Sequence, residues 1–449
     1  MIVEFAGVKP TPRALALLLI LPIIVGIDIL YYGRIESFTF YLIVGIIGLV
    51  YSMKLLVDLS AKVIDKITVK RVLEGPFIEN RTIRVRIVLA NNSWIPLFRV
   101  TIKDSYPSLM SLVSGSITHT VFIAPHSSVS FDYAIRPIIG RHKFGYTELI
   151  ISDLLGLFNC KFLLDPLHNI VEIKPKPMEI PATLARITTT RGLGFGKTMQ
   201  RGLGQEFYTI REYRPGDNPR YIDWKSYARL RRLYVKEFER EANLSIIFVV
   251  DASSNSLRSI IGKTPFEHMA RIVAGLLKIL VKRGDWFGVV IRSREIIRSG
   301  YGRGIEHYYR VLGTIAKTPW LLEKPGKSLG EAIIEETLLI PRRTKTLFLV
   351  LTSLLTKNEA LSIISAYEKL RSLGHLVYVI QLQPELFEFK QLSGIEAAIY
   401  FGLTLDEINA SKEMSELLAK KGIPVVITGP SDMLESLYTL IERYRSAIV

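Results

Sequence analysis

One cysteine, Cys160, stands among 449 residues, and that scarcity excludes an intrachain disulfide and any zinc site built on several thiolates. It also fits a reducing compartment. The seven histidines are scattered, with no HExxH motif and no paired spacing that would make a metal cage. Acidic residues are outnumbered, 42 against 58 Lys and Arg, for a formal net charge of +16. Such a surplus suits an anionic membrane leaflet or an acidic partner. It suits nucleic acid as well, but no recognised nucleic-acid motif accompanies it, and nucleic acid is not expected as a partner.

Apolar runs are concentrated at the start. Arg13 to Tyr32 and Phe38 to Val57 each reach the length of about 20 residues that a helix needs to cross a bilayer. Only Gly33 to Ser37 lies between them, so the pair is expected to form an antiparallel hairpin, with everything after about residue 60 on one side. Lys9 and Arg13 precede the first run, and Lys54, Lys62, Lys66, Lys70 and Arg71 end or follow the second. The connecting loop carries only Arg34, beside Glu36. Excess Lys and Arg mark the cytoplasmic side, so a multi-pass cell-membrane protein with a cytoplasmic bulk is expected. A cleaved signal peptide is the rival for the first run. That run exceeds the usual apolar core of such a peptide, no small-x-small cleavage site follows, and a second span comes at once. Asp28, near the end of the first run, reads as an interfacial residue.

Four regions follow from the pattern. Residues 1–60 read as the transmembrane hairpin, with spans at about 13–32 and 38–57. Residues 63–177 read as strands such as IRVRIVLANNSW and HKFGYTELIIS, punctuated at Asn91-Asn92, Pro107, Pro125 to Ser127 and Gly140-Arg141. Short strands at this spacing suggest an immunoglobulin-like β-sandwich, with a spacing or binding role. Residues 178–243 form a basic segment: 186–240 hold 13 Lys and Arg against 6 Asp and Glu. Gly196-Lys197-Thr198 within it is not a phosphate loop, because Arg191 occupies the place where that motif needs its first glycine. Residues 244–449 alternate apolar strand runs (LSIIFVVD, WFGVVIRS, TLFLVLTS, HLVYVIQLQ, PVVITGP) with helical stretches. The alternation implies a doubly wound α/β sheet with helices on both faces. The glycine-rich Ser299 to Gly304 reads as a loop.

The first strand of this last region ends in Asp251-Ala252-Ser253-Ser254-Asn255-Ser256. A carboxylate and hydroxyls just past a buried strand can gather around a hard cation. With the sheet pattern, the stretch resembles the von Willebrand factor A fold, whose metal-ion-dependent adhesion site opens with D-x-S-x-S. The resemblance implies a later Thr before a helix and an Asp after the fourth strand. Here Lys327 or Ser328 takes the first place and Leu354 the second, which weakens cation affinity. Three readings stand: a degenerate site for Mg²⁺ or another divalent cation on Asp251, Ser253, Asn255 and Ser256; Lys327 paired with Asp251 in place of the ion; or a cap for the next helix.

The stretch Glu206 to Glu241 carries the strongest motif. Glu206, Phe207, Arg211, Glu212, Tyr213, Pro215, Gly216, Asp217, Arg220, Ile222, Asp223, Trp224, Lys225, Ala228 and Arg229 resemble the signature of the domain of unknown function 58 family. Gly140-Arg141 and the later Ser152-Asp153-Leu154-Leu155-Gly156-Leu157-Phe158 resemble that family's sequence ahead of the signature. The hairpin, β domain and terminal A-type domain extend the likeness over nearly the whole chain. Read physically, Pro215-Gly216-Asp217 is a turn and Trp224 is expected to be buried. Arg211, Arg214, Arg220 and Arg229, among Glu212, Asp217 and Asp223, form either an internal ion-pair lattice or a docking face for an acidic partner or phosphate groups. No histidine lies between His168 and His268, so no nucleophile with an adjacent base is readable there.

These readings converge on a membrane-tethered, non-enzymatic binding or adaptor protein for complex assembly, with no cofactor expected. The family resemblance implies a MoxR-type AAA ATPase as partner. Two alternatives remain: a divalent-metal-dependent hydrolase using the Asp251 region, and an adhesion-type protein of the opposite topology.

Overall fold

The computed structural model describes residues 2–33, 37–166, 169–181, 201–215, 217–239, 243–257, 262–320, 326–338, 340, 344–353, 356–383 and 394–448. Gly196-Lys197-Thr198, Gly216 and Leu354 lie outside them. The chain divides into two compact units, Met1–Lys174 and Pro175–Val449.

The first unit opens with a strand that the sequence reading did not contain. Residues 1–60 are not a helical hairpin alone: β1 (Ile2–Pro10) precedes the helices and pairs antiparallel with β10 (Phe158–Leu164). Its alternation breaks at Ala6-Gly7, where the pairing also shifts register, and a long apolar stretch follows at once. Helix α1 (Pro12–Tyr32) follows at once, started by Thr11 in an extended conformation and Pro12 at its first turn, and stopped by left-handed Gly33. Helix α2 (Ser37–Lys62) returns. Both are long and apolar enough to cross a membrane, and large apolar side chains such as Leu19, Ile23, Phe38 and Tyr41 point outward from them. Asp28 is an exception to that exposure, buried with Thr39 near the turn between the helices.

The remaining strands build two sheets that share one core. One sheet runs β1-β10-β9-β4-β6, with β4 (Leu97–Lys103), β6 (Thr118–Ile123) and β9 (Thr147–Ser152). The other runs β2-β3-β7-β5, with β2 (Ile67–Glu74), β3 (Ile83–Asn91), β5 (Ser111–Gly115) and β7 (Ser127–Arg136). Strands β8 (Gly140–Lys143) and β11 (Ile170–Ile173) pair separately. Alternation is realised residue by residue: Ile83, Val85, Ile87 and Leu89 of β3 point inward and meet Val100, Leu149 and Phe162 of the other sheet in one cluster. A buried ion pair bridges the sheets. Arg71 on β2 donates to both oxygens of Asp104 at 2.5 and 3.2 Å, and Tyr133 and Thr147 hydroxyls donate to the same carboxylate at 2.6 and 2.7 Å.

In the second unit, β14 (Ser245–Asp251) is central in a six-stranded sheet ordered β16-β15-β14-β17-β18-β19. Strands β15 (Trp286–Arg292), β17 (Leu347–Ser353), β18 (Leu376–Leu382) and β19 (Val425–Thr428) run parallel with it. Strand β16 (Ile296–Gly302) is an antiparallel edge. It corrects the loop expected at Ser299 to Gly304: Ser299 to Gly302 are strand residues, with left-handed Gly300 beside a break in register with β15. Every residue of β14 is buried, as a parallel strand covered on both faces requires. Thr264, Ser328 and Thr356 close capping boxes with Glu267, Glu331 and Glu359 at the starts of three helices. Helices alternate with these strands as the sequence pattern implies, from Pro265–Lys282 to Met433–Ile448.

Burial lowers the pKa of three histidines in this unit, His268 to about 4, and of His307 and His375. His268 Nε2 lies 2.7 Å from the Pro430 carbonyl and His307 Nε2 lies 2.9 Å from that of Phe287. In an unfolded chain such rings take up protons near pH 6.5, so between that pH and about 4 the unfolded state binds more protons. The stability these groups contribute is therefore whole above pH ~6.5 and drains away as pH falls toward 4. Thermal unfolding of the full chain in detergent should show this slope, and His268→Gln should flatten it. An unchanged slope in a folded variant would remove His268 from the account.

Candidate functional site

The chain steps from β14 to β15 on one side and later returns to β17 on the other, so the carboxyl ends of β14 and β17 mark the switch point of the sheet. Asp251, the last residue of β14, sits there with 1% of its surface exposed. Its Oδ1 accepts from the Ser253 amide at 3.0 Å and from Arg292 Nε and Nη2 at 3.2 and 2.9 Å. Its Oδ2 accepts from the hydroxyls of Ser253, Ser256 and Thr352 at 3.1, 3.2 and 2.9 Å. Ser256 Oγ also lies 2.8 Å from Ser353 Oγ.

Sequence reasoning found Asp251, Ser253 and Ser256, and the structure brings these together. Asn255, on the short helix Ser254–Leu257, stays half-buried and makes no hydrogen bond to the cluster among the described residues. The partner of Asp251 is Arg292, which the sequence reading missed. Lys327, expected as one alternative, instead reaches Glu335 at 2.5 Å, and Ser328 caps its own helix. Arg292 ends β15 directly beside Asp251 in register, and its guanidinium also donates to Glu359 Oε1 at 2.5 Å. Glu359 begins the helix Lys357–Ser372 that follows β17. Burial alone works against the charge on Arg292, but the facing carboxylates of Asp251 and Glu359 raise its pKa.

This arrangement does not fit a divalent cation. The adhesion-type site needs a carboxylate with lone pairs open to an ion, whereas six donor contacts already converge on Asp251, two of them from a buried cation. An arginine side chain that is 2% exposed supplies the positive charge. What the arrangement does chemically is tie the ends of three strands and one helix together.

The signature segment forms a second site. β12 (Arg201–Glu212) and β13 (Tyr234–Glu239) pair antiparallel, with Arg211 opposite Val235 and Glu212 opposite Tyr234. Glu206 and Phe207 lie on β12. The turn after Tyr213 is closed by Asp217, which accepts from both Arg211 guanidinium nitrogens at 2.7 Å and from the Arg214 amide at 2.8 Å. Past Pro215, Asn218 caps a 3₁₀ turn at Pro219–Tyr221. Asp223 precedes α3 (Trp224–Leu230), accepts from Ser226 at 2.7 Å and lies 3.4 Å from Lys236. The Ser226 hydrogen bond, helped by Lys236, holds its carboxyl below the usual range.

The ion-pair lattice is therefore partial. Arg211–Asp217, Lys236–Asp223 and Arg232–Glu212 are internal pairs. Arg214, Arg220, Lys225 and Arg229 are exposed and make no ion pair among the described residues. Trp224 is not buried as expected: it is 63% exposed, edge-on to Tyr227 with ring centroids 6.1 Å apart. Tyr227, Leu230 and Leu233 are exposed as well, and Lys225, Ser226, Ala228 and Arg229 line a depression of about 430 Å³.

Residues 209–384, from the signature through β18, match the family described as Protein of unknown function DUF58, as the sequence resemblance implied. A curated relative, the Uncharacterized protein YeaD of Bacillus subtilis (strain 168), is 22% identical over 236 residues, 52% of this chain. This chain spans 57% of that relative's length. Among solved structures, BatB from Bacteroides thetaiotaomicron is 14% identical and aligns over 46% of this chain and all of its own, with a TM-score of 0.34. The SpRpn10 VWA domain is 12% identical over 44% of this chain and 94% of its own, with a TM-score of 0.29.

Two measurements test the closed site. Millimolar Mg²⁺ or Mn²⁺ should leave the melting temperature of the wild type unchanged. Arg292→Ala should destabilise the protein by about 3–5 kcal/mol, the usual cost of leaving one member of a buried pair alone, and Mn²⁺ should restore part of the loss. Saturable Mg²⁺ binding by the wild type in calorimetry would overturn the assignment.

Proposed function

Taking as premise that residues 209–384 carry the DUF58 family's sequence, we propose that this protein is a membrane-tethered binding protein that recruits an acidic protein partner through its signature segment. The observation that carries the reading is the exposed Trp224 and Tyr227 among Arg214, Arg220, Lys225 and Arg229, which spend their charge on no internal pair among the described residues. Aromatic rings beside arginines make strong anchors at protein interfaces, and a basic surface speeds encounter with an acidic one.

The switch-point carboxylate is closed by Arg292, so the surface is a better candidate for recognition than a metal-dependent site there. The two apolar helices supply the tether, and the Lys and Arg around their outer ends favour a cytoplasmic bulk. On this reading the two-sheet domain is an immunoglobulin-like sandwich that carries the tether, and the protein performs assembly work without catalysis. The family resemblance makes a MoxR-type AAA ATPase the partner to test.

Affinity capture from native membranes after crosslinking provides that test, with wild type beside Trp224→Ala and Arg229→Glu. The wild type should recover the ATPase. Each variant should keep its melting temperature, since surface changes cost within about 0.5 kcal/mol. Loss of an interface anchor worth about 2 kcal/mol should cut recovery roughly thirtyfold. Equal recovery by all three proteins would rule out this face.

A further inference from the structure

We propose that the end of the β-sandwich from which the two long helices emerge is inserted into the lipid headgroup layer, with Trp94 and the Leu154-Leu155 turn as the inserted parts. The inference rests on the reading of α1 and α2 as membrane spans, and adds a second contact between this protein and the same leaflet.

Strand register gathers the relevant pieces at one end. In one sheet Pro10 pairs with Phe158, Asn159 and Arg99 with Ser152, and Leu97 with Ile123. In the other, Ile67 and Ser127 pair with Asn91. The loops 92–96, 124–126 and 153–157 therefore lie at the end where the chain leaves for α1 and comes back from α2. Hydrogen bonds tie them to those junctions. The Thr11 amide donates to the Leu157 carbonyl and the Thr11 hydroxyl to the Gly156 carbonyl, both at 2.8 Å. The Asn92 amide donates to the Lys66 carbonyl at 3.0 Å.

The two tips are fixed by their own polar groups, so they present apolar side chains on a rigid mount. Asp153 is buried, accepts from the Leu155 amide at 2.8 Å and the Phe158 amide at 2.5 Å, and turns the chain through left-handed Gly156. That turn leaves Leu154 56% and Leu155 46% exposed. Asn91 organises the other tip, donating to the carbonyls of Ile95 and Ala124 and accepting from the Ser93 amide. Trp94 is left 80% exposed, edge-on to His126. Trp94, Leu154 and Leu155 stay outside the core cluster, while Leu157 at the base of the turn is buried in it.

Charge around the tips suits phosphate headgroups. A guanidinium nitrogen of Arg99 and one of Arg13 come within 3.5 and 3.6 Å of where a side chain at Gly156 would begin. Lys9, Lys62 and Lys66 are exposed near the same junctions, against exposed Asp65 and half-buried Asp58. Tryptophan prefers the level of the headgroups, where its ring is half in hydrocarbon and half in water. Leucines on a short turn add burial at about 25 cal/mol per Å², and nearby basic groups favour an anionic surface. The resident chemistry thus specifies one occupant, the bilayer that the adjoining helices enter.

Depth-dependent quenching tests this on the full chain in phosphatidylcholine–phosphatidylglycerol vesicles. Cys160 is fully buried, with its thiol pKa pushed up to about 11, so the native chain serves as an unlabelled background. Single cysteines at Trp94, Leu154, Leu19 and Thr82 would carry an environment-sensitive dye, with Leu155→Cys in reserve should Trp94→Cys not fold. Leu19 lies on α1, and exposed Thr82 lies at the opposite end of the sandwich. Shallow nitroxide lipids should quench positions 94 and 154 several-fold more than position 82, and deep nitroxides should quench position 19. Deep quenching at 19 with 94 or 155, and 154, no different from 82 overturns the inserted tips while leaving the spans intact. Absence of quenching at 19 overturns the span reading and this inference with it.

Discussion

A carboxylate at the end of a central parallel strand has to be neutralised where it stands, and the way Asp251 is neutralised governs what the α/β domain can do. A bound cation can be exchanged, displaced by chelation or shared with a ligand's carboxylate. A guanidinium attached to the neighbouring strand cannot. Arg292 fixes β14 to β15 and, through Glu359, to the helix after β17, so the switch point becomes a structural joint. Removing both charges together would be far milder than removing one, because the cost lies mainly in an unpaired buried ion.

The β domain obeys a comparable constraint of connection. Its sheet begins before the membrane-length helices and resumes after them, so the hairpin is an excursion from the sandwich and not a leader hung in front of it. Thr11 passes from β1 into α1 without a flexible joint, and the last turn of α2 runs through a 3₁₀ turn at Ile64–Lys66 into β2. A protein attached through a single flexible linker samples many orientations. The two-sheet domain is instead joined directly to both helices, with backbone hydrogen bonds at each junction. The buried Arg71–Asp104 pair, spanning both sheets, adds rigidity to the same body.

Much of this architecture was legible because local chemistry and global fold agree. Alternation in Ile83 to Asn91, the wholly apolar Ile246 to Val250 and the Thr-x-x-Glu start at Thr264 each announce one structure. The failures have physical reasons. β16 is an edge strand with glycines at 300 and 302, which weakens any strand signal. β1 draws its partner from more than 140 residues away, so its own residues carry little trace of the pairing. Arg292 becomes the counterion of Asp251 only through strand register across 41 positions, information that spacing motifs do not hold, whereas Lys327 was suggested by a motif alignment. The Ser253 and Ser256 contacts were legible because they are local.

The exposure of Trp224 is the departure with the largest functional weight. A large indole left in water forgoes burial free energy that the fold takes elsewhere, as with Phe248 and Phe287 in the same unit. The ring sits on a helix of seven residues, too short to be stable by itself. That helix is held by Asp223 at its start and by the hairpin around it, while the neighbouring Arg211–Asp217 fork closes the preceding turn. The ion pairs Arg211–Asp217 and Lys236–Asp223 therefore belong to the mount, while Arg214, Arg220 and Arg229 are exposed and make no ion pair among the described residues. On the proposed docking role, a mount this well specified orders the aromatic anchor before a partner arrives, so less conformational entropy is lost on binding.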